Sequence, residues 1–164
     1  MISLTTSIER ILQDIRRFET QYDRKPGCVG LLAVSKRHGV DRILAARAAG
    51  LADFGENYLQ EALDKIHVLQ GLGINWHFIG PIQSNKTKLI AANFAWVHSV
   101  DRAKIARRLS EQRPTHLPPL QTCIQVNISR EFSKSGVSLE ELPFLAKELR
   151  RLPGITLRGL MAIP

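Results

Sequence analysis

Apolar positions along this chain switch repeatedly between two spacings: every three or four residues, which marks one face of a helix, and short unbroken runs, which mark a buried strand. Ile8, Ile11, Leu12, Ile15 and Phe18 keep the helical spacing behind Thr6-Ser7-Ile8-Glu9, a sequence with capping-box spacing. The first element is therefore expected to be an amphipathic helix that stops before Pro26-Gly27. Cys28 to Val34 reads as the first strand and ends in Ser35-Lys36. Val40, Ile43, Leu44, Ala48 and Leu51 return to helical spacing, with Gly50 suited to the helix end. Ala52 to Gly55 forms a short second strand, and Glu56 to Leu69 a helix with Leu59, Ala62, Leu63 and Ile66 on one face.

The rhythm repeats through the second half. Ile74 to Ile79 predicts a third strand broken by Gly80-Pro81, and Ser84 to Ala92 a short helix. Phe94 to Val100 predicts a fourth strand, after which Asp101 is placed to cap a helix carrying Ile105, Ala106 and Leu109. Arg113 to Pro119 holds three prolines and is a loop, and Leu120 to Ile128 is the fifth strand. Ser138-Leu139-Glu140-Glu141 is a second capping box, opening a helix with Leu142, Leu145, Ala146 and Leu149 inward. Pro153-Gly154 ends it, and Ile155 to Met161 is the sixth strand. Six strands alternating with helices indicate parallel pairing through right-handed crossovers, which suits either a (β/α)8 barrel or an open doubly wound sheet.

Both architectures place ligands at the C-terminal ends of their strands. Polar residues collect there: Ser35-Lys36, Glu56-Asn57, Gln83 to Lys86, His98-Ser99 and Asn127, with Met161 at the end of the last strand. No G-x-G-x-x-G or G-x-x-x-x-G-K-[ST] follows any strand, which weakens dinucleotide and P-loop readings. Lys36 is the chemical candidate. A lysine at the end of a buried strand either snorkels to water or, where burial favours the free amine, attacks a carbonyl to form a Schiff base.

Composition narrows the classes. At 164 residues and 44% hydrophobic the chain suits one domain, 1–164, with a real core. The formal charge of +8 raises the question of nucleic acid, but the basic residues come in short pairs and triplets without interleaved aromatics, so no nucleic-acid surface is expected. No apolar run approaches the roughly 20 residues of a membrane span. Glu9, Arg10 and Asp14, beside Ile8, interrupt any signal-peptide core, so no membrane partner is expected. Cys28 and Cys123 lie far apart in apolar settings, and both are expected to be buried free thiols in a reducing cytoplasm.

Five segments together resemble the successive motifs of the pyridoxal phosphate homeostasis protein family: Ala33-Val34-Ser35-Lys36, Phe54 to Glu61, Trp76 to Lys86, Ser133-Lys134-Ser135-Gly136 and Leu157 to Pro164. The resemblance implies the (β/α)8 TIM barrel of the alanine racemase N-terminal type. It also implies a cytoplasmic protein that holds pyridoxal 5'-phosphate (PLP) as a Schiff base and supplies it to PLP-dependent apoenzymes, with no established turnover. By motif, Lys36 would be the Schiff-base lysine, Asn57 would lie near the ring and its phenolic oxygen, and Met161 would pack beside the cofactor. His77 would either reach the ligand or be a satisfied interior group. Gln83 to Lys86 would form a polar wall or cap a helix, and Lys134 would touch an anion or stay solvated. Glu56 would begin a helix, where the macrodipole explains a carboxylate. An amino-acid racemase is the alternative, but its second base is not evident.

A whole barrel runs to about 250 residues. The chain is therefore expected to be an incomplete, truncated barrel of about six β/α units whose phosphate-binding serine and threonine and ring-nitrogen arginine would lie beyond Pro164. Its first and sixth strands would then expose unpaired edges prone to association, and an inactive remnant is the further alternative.

Overall fold

A computed structural model describes residues 3–131 and 134–163. Helix α1 spans Leu4–Gln21, capped by Ser3, whose hydroxyl accepts the Thr6 N–H at 3.1 Å. The cap thus lies one turn before the Thr6 to Glu9 box, because Ser3 offers an earlier oxygen and Leu4 already packs on the core. Strand β1 is only Ala33–Val34, not the expected run from Cys28. The Glu19 carboxylate explains the difference: buried beneath α1, it accepts the N–H groups of Gly27 at 2.9 Å and Val29 at 2.7 Å, taking donors a longer ladder would need. Those two bonds, with Arg16, hold its pKa down at about 2. Cys28 stands exposed in this segment rather than buried, while Cys123 is buried.

The remaining elements are α2 (Val40–Ala48), β2 (Asp53–Glu56), α3 (Leu59–Val68), β3 (Asn75–Phe78), α4 (Thr87–Asn93), β4 (Trp96–Val100), α5 (Ala103–Glu111), β5 (Leu120–Gln125), α6 (Leu142–Leu149) and β6 (Ile155–Met161). A 3-10 turn, Ser84–Lys86, precedes α4. Before α6 the second capping box forms reciprocally: Ser138 Oγ accepts the Glu141 N–H at 3.2 Å, and the Glu141 carboxylate accepts the Ser138 N–H at 3.1 Å. Before α5 the expected cap is absent; Asp101 pairs with Arg102 at 2.6 Å, and Arg102 occupies the N-cap position.

The six strands are parallel and lie in chain order, β1-β2-β3-β4-β5-β6. Monotonic order excludes the strand-order reversal of a doubly wound sheet, and right-handed crossovers then set every connecting helix on one face. The core lies between that face and the helices: Phe54, Trp76, Phe78, Val97, Leu120 and Ile124 pack against Ile43, Ala62, Ile90, Ile105, Leu109 and Leu149. Phe78 meets Phe94 edge to face at 5.3 Å between centroids. Among the described residues β1 and β6 are each paired on one side only, and Val34 and Leu160 on them are exposed. No helix among the described residues is long and apolar enough to cross a membrane.

Candidate functional site

Side chains alternate along a strand, so the residues between the core positions point to the opposite, inner face of the sheet. At the N-terminal half of the strands that face is a polar layer. His77 engages Asp53 Oδ1 through Nε2 at 3.1 Å and His98 Nε2 through Nδ1 at 2.9 Å, and its ring stacks on Trp96 at 5.4 Å. Arg158 reaches over Trp96, 5.3 Å from the ring centroid, and donates to Gln121 Oε1 at 2.8 Å. Burial pushes the His98 imidazole down to about 4, with His77 adding to the effect; burial also lowers His77, against the pull of Asp53. Above this layer Gly55 leaves room, since a Cβ there would stand 3.1 Å from Ile79 Cδ1.

At the C-terminal ends the inner face opens into a cavity of about 200 Å³ lined by Asn57, Ile79, Pro81, Gln125, Val126, Asn127, Lys134, Ser135 and Ile163. These residues follow β2 and β3 on one side and β5 and β6 on the other, so the sheet is curled enough to bring non-adjacent strands around one space. A curled, sequentially ordered parallel sheet with helices outside is the wall of a (β/α) barrel. The cavity's shape depends on Gly80: a Cβ there would collide with the Asn57 backbone, and the Gly80 carbonyl also accepts the Ser99 hydroxyl. The far side is tied by the Asn127 amide, which donates to the Glu131 carbonyl at 2.8 Å, and by the Gln125 amide, which donates to the Ser135 carbonyl at 3.3 Å.

The structure treats the sequence candidates differently. Asn57 lines the cavity, and its Oδ1 is buried without a hydrogen-bond partner among the described residues. Lys36 is exposed, in a turn after β1 rather than at a buried strand end. Val34 pairs with Gly55, so the turn that carries Lys36 leaves β1 beside the end of β2 that leads to Asn57, and Lys36 itself is not among the residues lining the cavity. Met161 closes β6 in register with the cavity residue Gln125, and its carbonyl accepts the Val126 N–H at 2.8 Å. His77 is not brought to the cavity; it belongs to the polar layer, with both ring nitrogens engaged by protein groups. Gln83 to Lys86 also stay away from it, whereas Lys134 lines it while pairing with Glu131 at 2.9 Å. Ser133 and Pro164, from two of the quoted motifs, lie outside the described residues.

Glu56 is corrected outright. It ends β2, fully buried, and accepts the Ser35 hydroxyl at 2.6 Å and the Lys65 ammonium at 2.7 Å instead of opening a helix. Helical period alone could not separate a strand end from the first turn of α3. Lys65 itself was missed; its signal was a charged residue three positions after Ala62, on the helix face that should be apolar.

A polar-ended cavity inside a partial parallel barrel defines the class as a ligand-binding (β/α)-barrel domain. Residues 7–164 match the family model of the alanine racemase N-terminal domain. The chain belongs to the pyridoxal phosphate homeostasis proteins, a group within that domain family. The protein of that name from Pseudomonas aeruginosa is 58% identical over the whole chain, which spans 71% of its length. That from Escherichia coli is 48% identical, with the same 71% spanned. Among solved structures, PipY of Synechococcus elongatus with PLP bound is 35% identical with a TM-score of 0.77, covering 90% of this chain and 69% of that one. Alanine racemase of Corynebacterium glutamicum, 19% identical with a TM-score of 0.63 over 94% of this chain and 44% of that one, shares the fold.

The donor set fits one end of PLP. An orphaned buried amide oxygen normally costs about 1–3 kcal/mol, so Asn57 Oδ1 has a hydrogen bond to gain from a donor entering the cavity. Four further polar side chains, Gln125, Asn127, Lys134 and Ser135, line the same space, and Lys36 follows β1, the strand paired with the one that leads to Asn57. The cavity is smaller than the roughly 300–1,000 Å³ of enclosed ligand sites, which suits a ring rather than a whole phosphorylated cofactor.

Proposed function

We propose that this chain binds PLP at the C-terminal ends of its strands, attached at Lys36, and acts in intracellular PLP homeostasis as a carrier without turnover. The observation that carries the reading is the unpartnered Asn57 Oδ1 in a cavity beside the strand that delivers Lys36. When bound, PLP supplies an aldehyde with which a lysine amine condenses reversibly. Lys36 provides the amine, Asn57 orients the ring edge, and Met161 supplies an apolar contact from the β6 side. His77 holds the floor beneath rather than the ligand itself. The relatives' names and the PLP held by PipY support the same reading.

Carriage rather than racemisation is favoured by the naming of the relatives as homeostasis proteins. Exposed Lys36 suits release to PLP-dependent apoenzymes. The test is absorbance on adding PLP to the purified chain and to Lys36→Ala. A near-visible band confined to the parent, with no α-hydrogen exchange on added amino acids, supports the carrier. An equal band in both proteins, or amino-acid exchange, overturns it.

A further inference from the structure

The turn that carries Lys36 is held from below by charged residues of β2 and α3 that no ligand contact explains. Lys65 Nζ donates to the Ser35 carbonyl at 2.8 Å, to Glu56 Oε1 at 2.7 Å and to Glu61 Oε1 at 2.6 Å. Glu61 Oε1 also accepts the Arg37 N–H at 2.6 Å, and Ser35 Oγ donates to Glu56 Oε1 at 2.6 Å. Both neighbours of Lys36 are thereby fixed through backbone groups. The turn closes with the His38 N–H on the Ser35 carbonyl at 3.0 Å.

Arg37 sits at φ 62°, in the left-handed region that residues with a Cβ seldom occupy. Such conformations persist only where the surroundings over-determine them, and they gather at functional positions. Here the surroundings are visible: the Glu61 carboxylate takes the Arg37 N–H, and the Arg37 guanidinium lies 6.0 Å from the Tyr58 ring centroid. The Glu61 carboxyl is held below its usual range, first by the Lys65 hydrogen bond and then by the Arg37 N–H against the cost of burial, so the acceptor stays charged. Burying Lys65 and Glu56 for packing alone is a poor bargain compared with apolar residues. Fixing a turn at a defined place is a use that apolar residues could not serve.

We infer that Glu61 and Lys65 are positioning residues for Lys36: through the Arg37 N–H and the Ser35 carbonyl they hold the turn that presents the attachment lysine. The inference rests on the reading of Lys36 as the PLP residue. It assigns these two side chains no contact with the cofactor.

The experiment pairs a cofactor-free measurement with a labelling one on the full chain. Amide hydrogen exchange at Arg37 and His38 is followed without PLP in the parent, Glu61→Ala, Glu61→Gln and Lys65→Met. The share of borohydride-fixed PLP label on Lys36 relative to other lysines is then measured. Loss of a hydrogen bond to a charged acceptor predicts exchange at Arg37 faster by at least about tenfold in Glu61→Ala. Glu61→Gln, which keeps an acceptor oxygen, restores most of the protection, and the Lys36 share of label falls in Glu61→Ala and recovers in Glu61→Gln. Glu61 is partly exposed, so its variants stay folded even where Lys65→Met does not. Unchanged Arg37 exchange and an unchanged Lys36 share in Glu61→Ala overturn the inference. No label on Lys36 in the parent, with Arg37 exchange still accelerated in Glu61→Ala, overturns the PLP reading instead and leaves the two residues as supports of the turn alone.

Discussion

Replacing Lys65 by methionine tests the energetic heart of the barrel wall. Lys65 is 6% exposed and Glu56 fully buried, joined at 2.7 Å, with the Ser35 carbonyl and Glu61 completing the ammonium's shell. Methionine fills similar space but strands the Glu56 carboxylate in the interior with only the Ser35 hydroxyl and one oxygen already unpartnered. Removing one member of a buried ion pair costs about 3–5 kcal/mol, a large part of a domain's typical total of about 5–15 kcal/mol. Glu56→Gln in the same chain removes the stranded charge while keeping an acceptor for Ser35. The double variant should therefore regain at least about 1 kcal/mol, within the usual coupling of contacting residues. Urea unfolding followed by far-ultraviolet circular dichroism measures all three, with the exposed Lys88→Met as a control expected within about 0.5 kcal/mol of the parent. A Lys65→Met loss below about 1 kcal/mol, or a double variant no better than the single, would refute the claim that this network is a tightly coupled ion pair.

Further expectations follow from the same geometry. The folded chain holds His98 at about 4 and His77 below its usual value, whereas both return to about 6.5 on unfolding. Between those values the unfolded state binds more protons at these histidines, so their contribution to stability falls as pH drops from about 6.5 towards 4, below which Glu19, held at about 2, continues the loss. Urea midpoints at pH 7 and pH 5 should show this slope in the parent and a shallower one in His98→Gln; equal slopes count against the buried histidine pair. Gly80→Ala drives a Cβ into the Asn57 backbone and should cost about 1–3 kcal/mol while weakening PLP uptake; unaltered stability and uptake contradict the close approach. One thiol, Cys28, should react with a disulfide reagent in the native chain and the second, Cys123, only after unfolding; two fast thiols would show that Cys123 is not buried.

The architecture was legible because strand and helix periods alternate cleanly, and β6 runs over the expected Ile155 to Met161. The capping box at Ser138 and Glu141 was legible because two short side chains at fixed spacing can satisfy each other's backbone whatever the tertiary setting. β1 was overextended because the apolar run could not reveal that Glu19, on a helix ten residues earlier, claims the Val29 N–H. Asn57 and Lys36 were nominated from motif resemblance and their place at strand ends. The inner polar layer was less legible, though its signal was present: Asn75 and His77 alternate with Trp76 and Phe78, and Trp96 and His98 with Val97, marking strands with two different faces. The network under Lys36 could not be read in advance, since Glu56, Glu61 and Lys65 acquire their roles only when β2 and α3 close over Ser35.

Peptide mass mapping of the purified chain after PLP binding and borohydride reduction decides whether Lys36 is the attachment residue. Label should concentrate on Lys36 at low PLP concentration and fall when Asn57→Ala removes the unpartnered Oδ1 from the cavity. Label spread evenly over the surface lysines, or fixed at Lys134 instead, would contradict that assignment.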